Sequence, residues 1–178
     1  MVKDKELIAR IRQGEKELFE ELAGRYYQDV FHFCFYKTGD EELAYDCTQE
    51  TFLHVIRFFD SYVDRNHFRA WILSIARNVC GDYFRSKKLV TVDETFLENE
   101  QAQEAGYRQA EIKDSVLTAL NRLPEMQKEV VILKFYYDMK VREIASVVGV
   151  GVPTAKSRLK QGLDKLKKIL SEEGGFAE

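Results

Sequence analysis

The sequence predicts an all-α chain: two small helical domains joined by a flexible linker, the C-terminal one a helix-turn-helix. Three observations lead there. Apolar residues recur at spacings of three and four through most of the 178-residue chain, the period of an amphipathic helix. Only two prolines occur, Pro124 and Pro153, so long stretches run without a helix breaker. Residues 90–113 hold 2 basic against 6 acidic side chains and show little periodicity, between two strongly periodic blocks. The domains are therefore read as 1–89 and 114–178, with 90–113 as an acidic linker.

In the first domain, Leu7, Ile8 and Ile11, then Leu18, Phe19, Leu22 and Tyr26, follow helical spacing from Lys5 to about Phe35. Gly14 divides that run into two helices. Gly39-Asp40 is a turn, and Asp40 can cap the next helix. That helix, about Glu41 to Phe59, sets Ala44, Cys47, Thr51 and Val55 on one stripe. Asp46, Gln49, Glu50, Leu53 and Arg57 lie away from it. The stretch DSYVDRNHFRAW, Asp60 to Trp71, opens as a polar turn. A further helix runs from about Arg69 to Lys88, with Ile72, Ile75, Ala76, Val79 and Tyr83 inward. The domain is crowded with rings: 16 of the 22 aromatic residues precede residue 90.

Fully extended, the linker would span roughly 80 Å; its C-terminal end reads as helical. From Asp114 the pattern resumes. DSVLTALNRL is a helix that stops before Pro124, because the residue ahead of a proline disfavours helical geometry. EMQKEVVILKFYY, VREIASVV and VPTAKSRLKQGLDKLKKIL follow as three more helices. No repeat occurs at a solenoid period.

The segment GVGVPTAKSR, Gly149 to Arg158, comes close to a G-x-G-x-x-G phosphate loop. Such a loop needs a β-strand before it and a βαβ unit around it. Here VREIASVV precedes it at helical spacing. The parts instead fit a helix-turn-helix. Gly149 can take the positive φ that closes the first helix, and Ala145 is small enough for the second helix to approach. Gly151 serves as a permissive N-cap, and Pro153 falls in the first turn, where its missing N–H costs little. Val152, Ala155, Leu159, Leu163, Leu166 and Leu170 turn inward. Residues 151–170 carry six basic side chains against Asp164 alone. Lysines reach phosphates, and polar side chains near a helix start reach base edges. Pro153, Thr154, Lys156, Ser157, Arg158, Lys160 and Gln161 are therefore directed towards DNA, Arg158 at the edge of the basic face.

Enzyme chemistry finds no support. There is no P-loop, no H-E-x-x-H and no nucleophile elbow, and the three histidines show no metal or triad spacing. Cys34, Cys47 and Cys80 are odd in number and far apart, which reads as reduced, buried thiols. A zinc site with His32 or His67 would lack the usual ligand spacing. No catalytic residue, metal, cofactor or small-molecule substrate is expected. The N-terminus has no apolar signal core and no run has membrane-spanning length, so a cytoplasmic location is expected.

The segment ALNRLPEMQKEVVILKFYYDMKVREIASVVGVGVPTAKSRLKQGLDKLKKIL resembles the −35-reading domain of extracytoplasmic-function (ECF) sigma factors, a branch of the bacterial sigma-70 family. Its signposts are Leu123-Pro124, Ile144-Ala145, Gly149 and T-x-K-S-R at 154–158. ELAYDCTQETFLHV resembles the family's polymerase-docking helix, and FRAWILSIARNVCGDYFR its promoter-melting, −10-reading helix. The resemblance covers nearly the whole chain, in the family's order.

It implies a dissociable subunit that directs core RNA polymerase to promoters. Asp46, Gln49, Glu50, Phe52 and Leu53 would face the polymerase. Ser61, Tyr62, Arg65, Asn66, Phe68 and Trp71 would capture a base flipped from the single −10 strand, with Arg77, Asn78 and Arg85 holding the strand beyond. The helix-turn-helix would read the −35 duplex, and an anti-sigma factor would hold the protein in check, in some cases at the inner membrane face. Three positions depart from the pattern: Ser74 where arginine is frequent, Tyr45 where an acid is common, and Gly151 where Ser or Asp often caps. A stand-alone helix-turn-helix repressor or activator is the competing reading; it would need a dimerisation surface or effector pocket in the first domain.

Overall fold

The computed structural model describes residues 3–63, 67–90, 116 and 118–174. They fall into two compact units, one within 1–103 and one within 104–178. All regular elements among the described residues are helices, as expected. The acidic stretch read as a linker, 90–113, lies outside them from residue 91 on, and so do Arg65 and Asn66.

The first unit holds α1 (Asp4–Arg12), α2 (Leu18–Thr38), α3 (Glu41–Phe58), a 3-10 turn (Phe59–Ser61) and α4 (Phe68–Val90). Gly14 separates α1 from α2 at φ 111°, a value that side chains other than glycine's rarely allow. Asp40 caps α3 as expected: its Oδ1 accepts from the Leu43 N–H at 2.8 Å. The core is built where α2, α3 and α4 pack on one another, from Leu22, Val30, Phe33, Ala44, Val55, Ile72, Leu73 and Ala76. Tyr83 departs from the inward stripe and is exposed, alongside Phe84.

Two further features hold this bundle. Thr48 and Thr51 are buried, and their hydroxyls donate one turn back to the Ala44 and Cys47 carbonyls, at 2.7 and 2.6 Å. Neither hydroxyl is thereby left to the desolvation cost of an unmade bond. Cys34, Cys47 and Cys80, one from each core helix, are free and buried. Cys80 hydrogen-bonds to Cys34, and that bond together with burial pushes its thiol up. Burial does the same to Cys47. Among the described residues, no group of three or more His, Cys, Asp or Glu is placed to hold a metal.

The second unit holds a helical segment at 118–121, then α5 (Glu125–Phe135), α6 (Val141–Val148) and α7 (Val152–Gly174). α5 ends at Phe135, earlier than the apolar run suggests. Tyr137 then turns into the core, while Phe135 and Tyr136 are left exposed. Asp138 supports this turn in left-handed geometry, at φ 49°. α6 begins with the Lys140 N–H bonded to Glu143 Oε2 at 2.7 Å, and ends at Gly149 in left-handed geometry, φ 69°. Ala119, Leu123, Val131 and Ile169 form a core against which Leu159, Leu163, Leu166 and Leu170 pack. Among the described residues, no helix is long and apolar enough to cross a membrane.

Candidate nucleic-acid and protein interfaces

Three surfaces carry the expected site residues. The first is the outer face of α3. Its buried stripe (Ala44, Cys47, Thr48, Thr51, Val55) leaves Asp46, Gln49, Glu50, Leu53 and Arg57 exposed on the opposite side. Leu53 is 59% and Ile56 57% exposed. Solvated helix faces rarely line up such apolar side chains with carboxylates and an amide. Phe52 sits at the margin, half-buried, its ring stacked on Tyr27 of α2 at 6.0 Å. Tyr45 is exposed and lines a shallow cleft with Tyr27, Gln28, Phe31, Glu41 and Glu42. Placing a phenol at position 45 thus extends the apolar face towards α2.

The second surface is the turn after α3 with the face of α4 that continues it. Ser61 is exposed, and its Oγ donates to the Phe58 carbonyl at 2.7 Å. Tyr62 and Phe68 are not open rings: they are 6% and 4% exposed. The Tyr62 ring lies 5.3 Å from Phe68 and 4.7 Å from Trp71, and Phe68 meets Trp71 at 5.5 Å and Tyr26 at 5.2 Å. Trp71 alone of the three is half-buried. Expected to capture a flipped base, Tyr62 and Phe68 form a packed aromatic floor with Trp71 at its edge. Burial pushes the Tyr26 hydroxyl up, and it donates to Asp4.

From Trp71 the stripe runs along α4 at helical spacing through Ser74 and Asn78 to Arg85. Asn78 and Arg85 are exposed and Arg77 is half-buried at its flank. Arg85 pairs with Asp82, one turn earlier. Ser74 spends its hydroxyl on its own helix, donating to the Trp71 carbonyl at 2.6 Å. A serine here keeps the stripe polar and short.

The third surface is α7. Ala155 is fully buried. Pro153, Thr154, Lys156, Ser157, Lys160 and Gln161 are exposed, and Arg158 is half-buried. On the helix wheel Thr154, Ser157 and Gln161 occupy the middle of that outer face, with Lys156 and Lys160 on one side and Arg158 on the other. This order places three polar side chains between cations, an arrangement that suits a duplex groove between two phosphate ridges. Gly151 precedes the helix and its carbonyl accepts from Ala155 N–H at 3.0 Å. The positive end of the α7 dipole therefore also points out at this edge.

Two contributors escaped sequence reading. A Cβ on Gly162 would lie 3.0 Å from Val131 Cγ2 and 3.3 Å from Gln127, so this glycine lets α7 lie close on α5. Gln127 itself donates to Gln161 Oε1 at 3.3 Å, while Gln161 Nε2 donates to Ser157 Oγ at 3.1 Å. A polar chain from α5 thus orients two of the central α7 side chains. Neither carried a readable signal: Gly162 lies beside an apolar stripe that runs uninterrupted through Leu159, Leu163 and Leu166, and Gln127 is an ordinary polar residue 34 positions from Gln161.

Comparison with known proteins matches residues 22–90 to the family model for sigma-70 region 2, and residues 113–166 to that for sigma-70 region 4. The ECF RNA polymerase sigma factor BldN of Streptomyces coelicolor is 30% identical, over 94% of this chain and 66% of its own length. The ECF RNA polymerase sigma factor SigW of Bacillus subtilis is 24% identical, over 94% of this chain and 97% of its own. Among solved structures, the sigma factor RpoE in complex with the anti-sigma factor NepR, from Bartonella quintana, has the same fold at a TM-score of 0.70. It is 22% identical and covers 87% of this chain and 98% of that one.

Proposed function

The chain belongs to the sigma-70 family, as an RNA polymerase sigma factor of the ECF type, and from that membership we propose how its surfaces divide the work. Residues 1–89 act as region 2, residues 114–178 as region 4, and 90–113 as the tether between them. Asp46, Gln49, Glu50, Phe52 and Leu53 dock on core polymerase. The aromatic floor and the stripe from Trp71 to Arg85 receive the opened −10 strand. The outer face of α7, Pro153 to Gln161, reads the −35 duplex. The protein supplies recognition and strand separation, and phosphodiester synthesis stays with the polymerase. It works in the cytoplasm, where core and promoters are, and an anti-sigma factor covering these faces would silence it.

The observation that carries this reading is the exposed face of α3. Leu53 and Ile56 lie open among Asp46, Gln49 and Glu50, on a helix whose other side is already buried. A stand-alone helix-turn-helix regulator has no use for that face unless it dimerises. Competition for core polymerase against another sigma factor tests the point. The wild-type chain should displace it, and Leu53→Asp, which changes only an exposed side chain, should not. Equal displacement by the variant would remove α3 from the interface.

A further inference from the structure

We propose that Arg12 is a positioning residue for the turn that presents the −10 recognition surface, an inference that rests on the reading of that surface given above. Arg12 is the last residue of α1, a helix that precedes the segment matched to sigma-70 region 2, which begins at residue 22. Its guanidinium crosses to the far end of α3. There it donates to the Phe59 carbonyl at 3.3 Å and, more closely, to the Tyr62 carbonyl. The same group lies 5.8 Å from the centre of the Phe59 ring. Three features of one turn converge on a single side chain.

The chemistry suits the place. The chain leaves helical geometry here: Phe59–Ser61 is a 3-10 turn and Tyr62 is extended, at φ −65° and ψ 123°. Carbonyls at a helix end lose their intrahelical donors and need others. The Tyr62 N–H closes the turn on the Phe59 oxygen at 3.2 Å, and Arg12 pins the same two residues from outside. Both bonds leave one nitrogen, Nη2, whose two N–H groups the rigid guanidinium fork fixes in its plane, whereas an ammonium is a freely rotating point charge. The residues held are not neutral bystanders. Phe59 packs on Phe19 and Phe68, Tyr62 packs on Phe68 and Trp71, and Val63 directly after them is 66% exposed. Arg12 therefore sets the height and tilt of the aromatic floor against the strand-facing edge.

Flipping a base out of its stack costs a few kcal/mol, and a receptor that must also order itself on binding recovers less of that cost. Fixing the turn in advance favours strand capture without touching the strand. The effect should appear in base discrimination and opening, and not in polymerase docking, since the α3 face lies on the other side of the buried stripe.

The test uses the full chain with core polymerase, on a fork template whose −10 strand is single and a second fork with those bases replaced. Arg12→Ala should keep affinity for core within about twofold and its melting temperature within about 4 °C. It should lose about tenfold or more in open-complex formation, read by permanganate reactivity, and bring the two forks closer in affinity. Arg12→Lys, which keeps the charge but not the fork, should recover only part of both. Undiminished opening and discrimination in Arg12→Ala would overturn the proposal. So would a parallel loss of core binding, which would make Arg12 a general brace. If Arg12→Ala does not fold, Arg12→Lys decides: wild-type discrimination in that variant rejects the fork. A wild-type chain that does not distinguish the two forks would instead reject the −10 reading itself.

Discussion

Gly149 occupies left-handed geometry with open space where a Cβ would go. Gly149→Ala should therefore cost about 1–2 kcal/mol from backbone strain alone, read by denaturant unfolding of the C-terminal unit. A near-neutral result would mean the turn relaxes. This residue was legible in the sequence because a glycine after a short apolar helix has one common physical reason to be there. Tyr62 was legible only as an aromatic in a polar turn. Spacing does not tell a ring that waits for a base from one that packs beneath it, because both need the same side chain. Its burial changes how it should be tested. Tyr62→Ala should destabilise the first unit by on the order of 3 kcal/mol, so lost promoter opening in that variant would report unfolding as well as recognition. Tyr62→Phe, which keeps the ring, should cost less stability than Tyr62→Ala. Arg12 left no mark in the sequence at all, since its partners are backbone carbonyls some 50 residues away.

Within the C-terminal unit, α7 has one face left for DNA because its other face is committed to α5 and α6. Lys156→Ala should weaken binding to every −35 sequence alike and reduce the salt slope by about one phosphate. Altered preference at a single base pair would instead put Lys156 on a base. Gly162→Val should push α7 off α5 at a cost of about 1–3 kcal/mol, as overpacking does, and should weaken −35 binding through Gln127 and Gln161. The helices themselves were readable from apolar spacing to within a few residues. The close approach at Gly162 was not, because a pattern of faces says which sides meet and not how near. In the first unit, the three thiols tie α2, α3 and α4. Burial holds Cys47 protonated in the folded chain, above the ordinary thiol value of 9.0. Cys34 and Cys80 share a hydrogen bond that shifts them in opposite directions, Cys34 down and Cys80 up. The Cys47 contribution to stability is full below 9.0 and falls as pH rises past it, because the unfolded thiol then ionises while the buried one does not. Unfolding midpoints at pH 8 and pH 10 should separate, and by less in Cys47→Ala; equal separation in both would clear Cys47 of the effect.

For the whole molecule, two helical units with different surfaces do one job only when something holds both to the same promoter. The N-terminal unit offers an apolar-acidic face and an aromatic floor; the C-terminal unit offers a cationic helix. This division was visible early, since the ring-rich first block and the basic last helix are compositional facts. Which rings face outward was not, because exposure is decided by packing among three helices at once. Recognition by a sigma factor becomes initiation only through core polymerase. In vitro transcription of genomic DNA from the source organism, with start sites mapped, checks that dependence. Core with this chain should yield a distinct set of starts sharing one −35 and one −10 element, absent with core alone and lost with Leu53→Asp. Tight, sequence-specific binding of duplex DNA by the chain alone, with no new start sites when core is added, would contradict it.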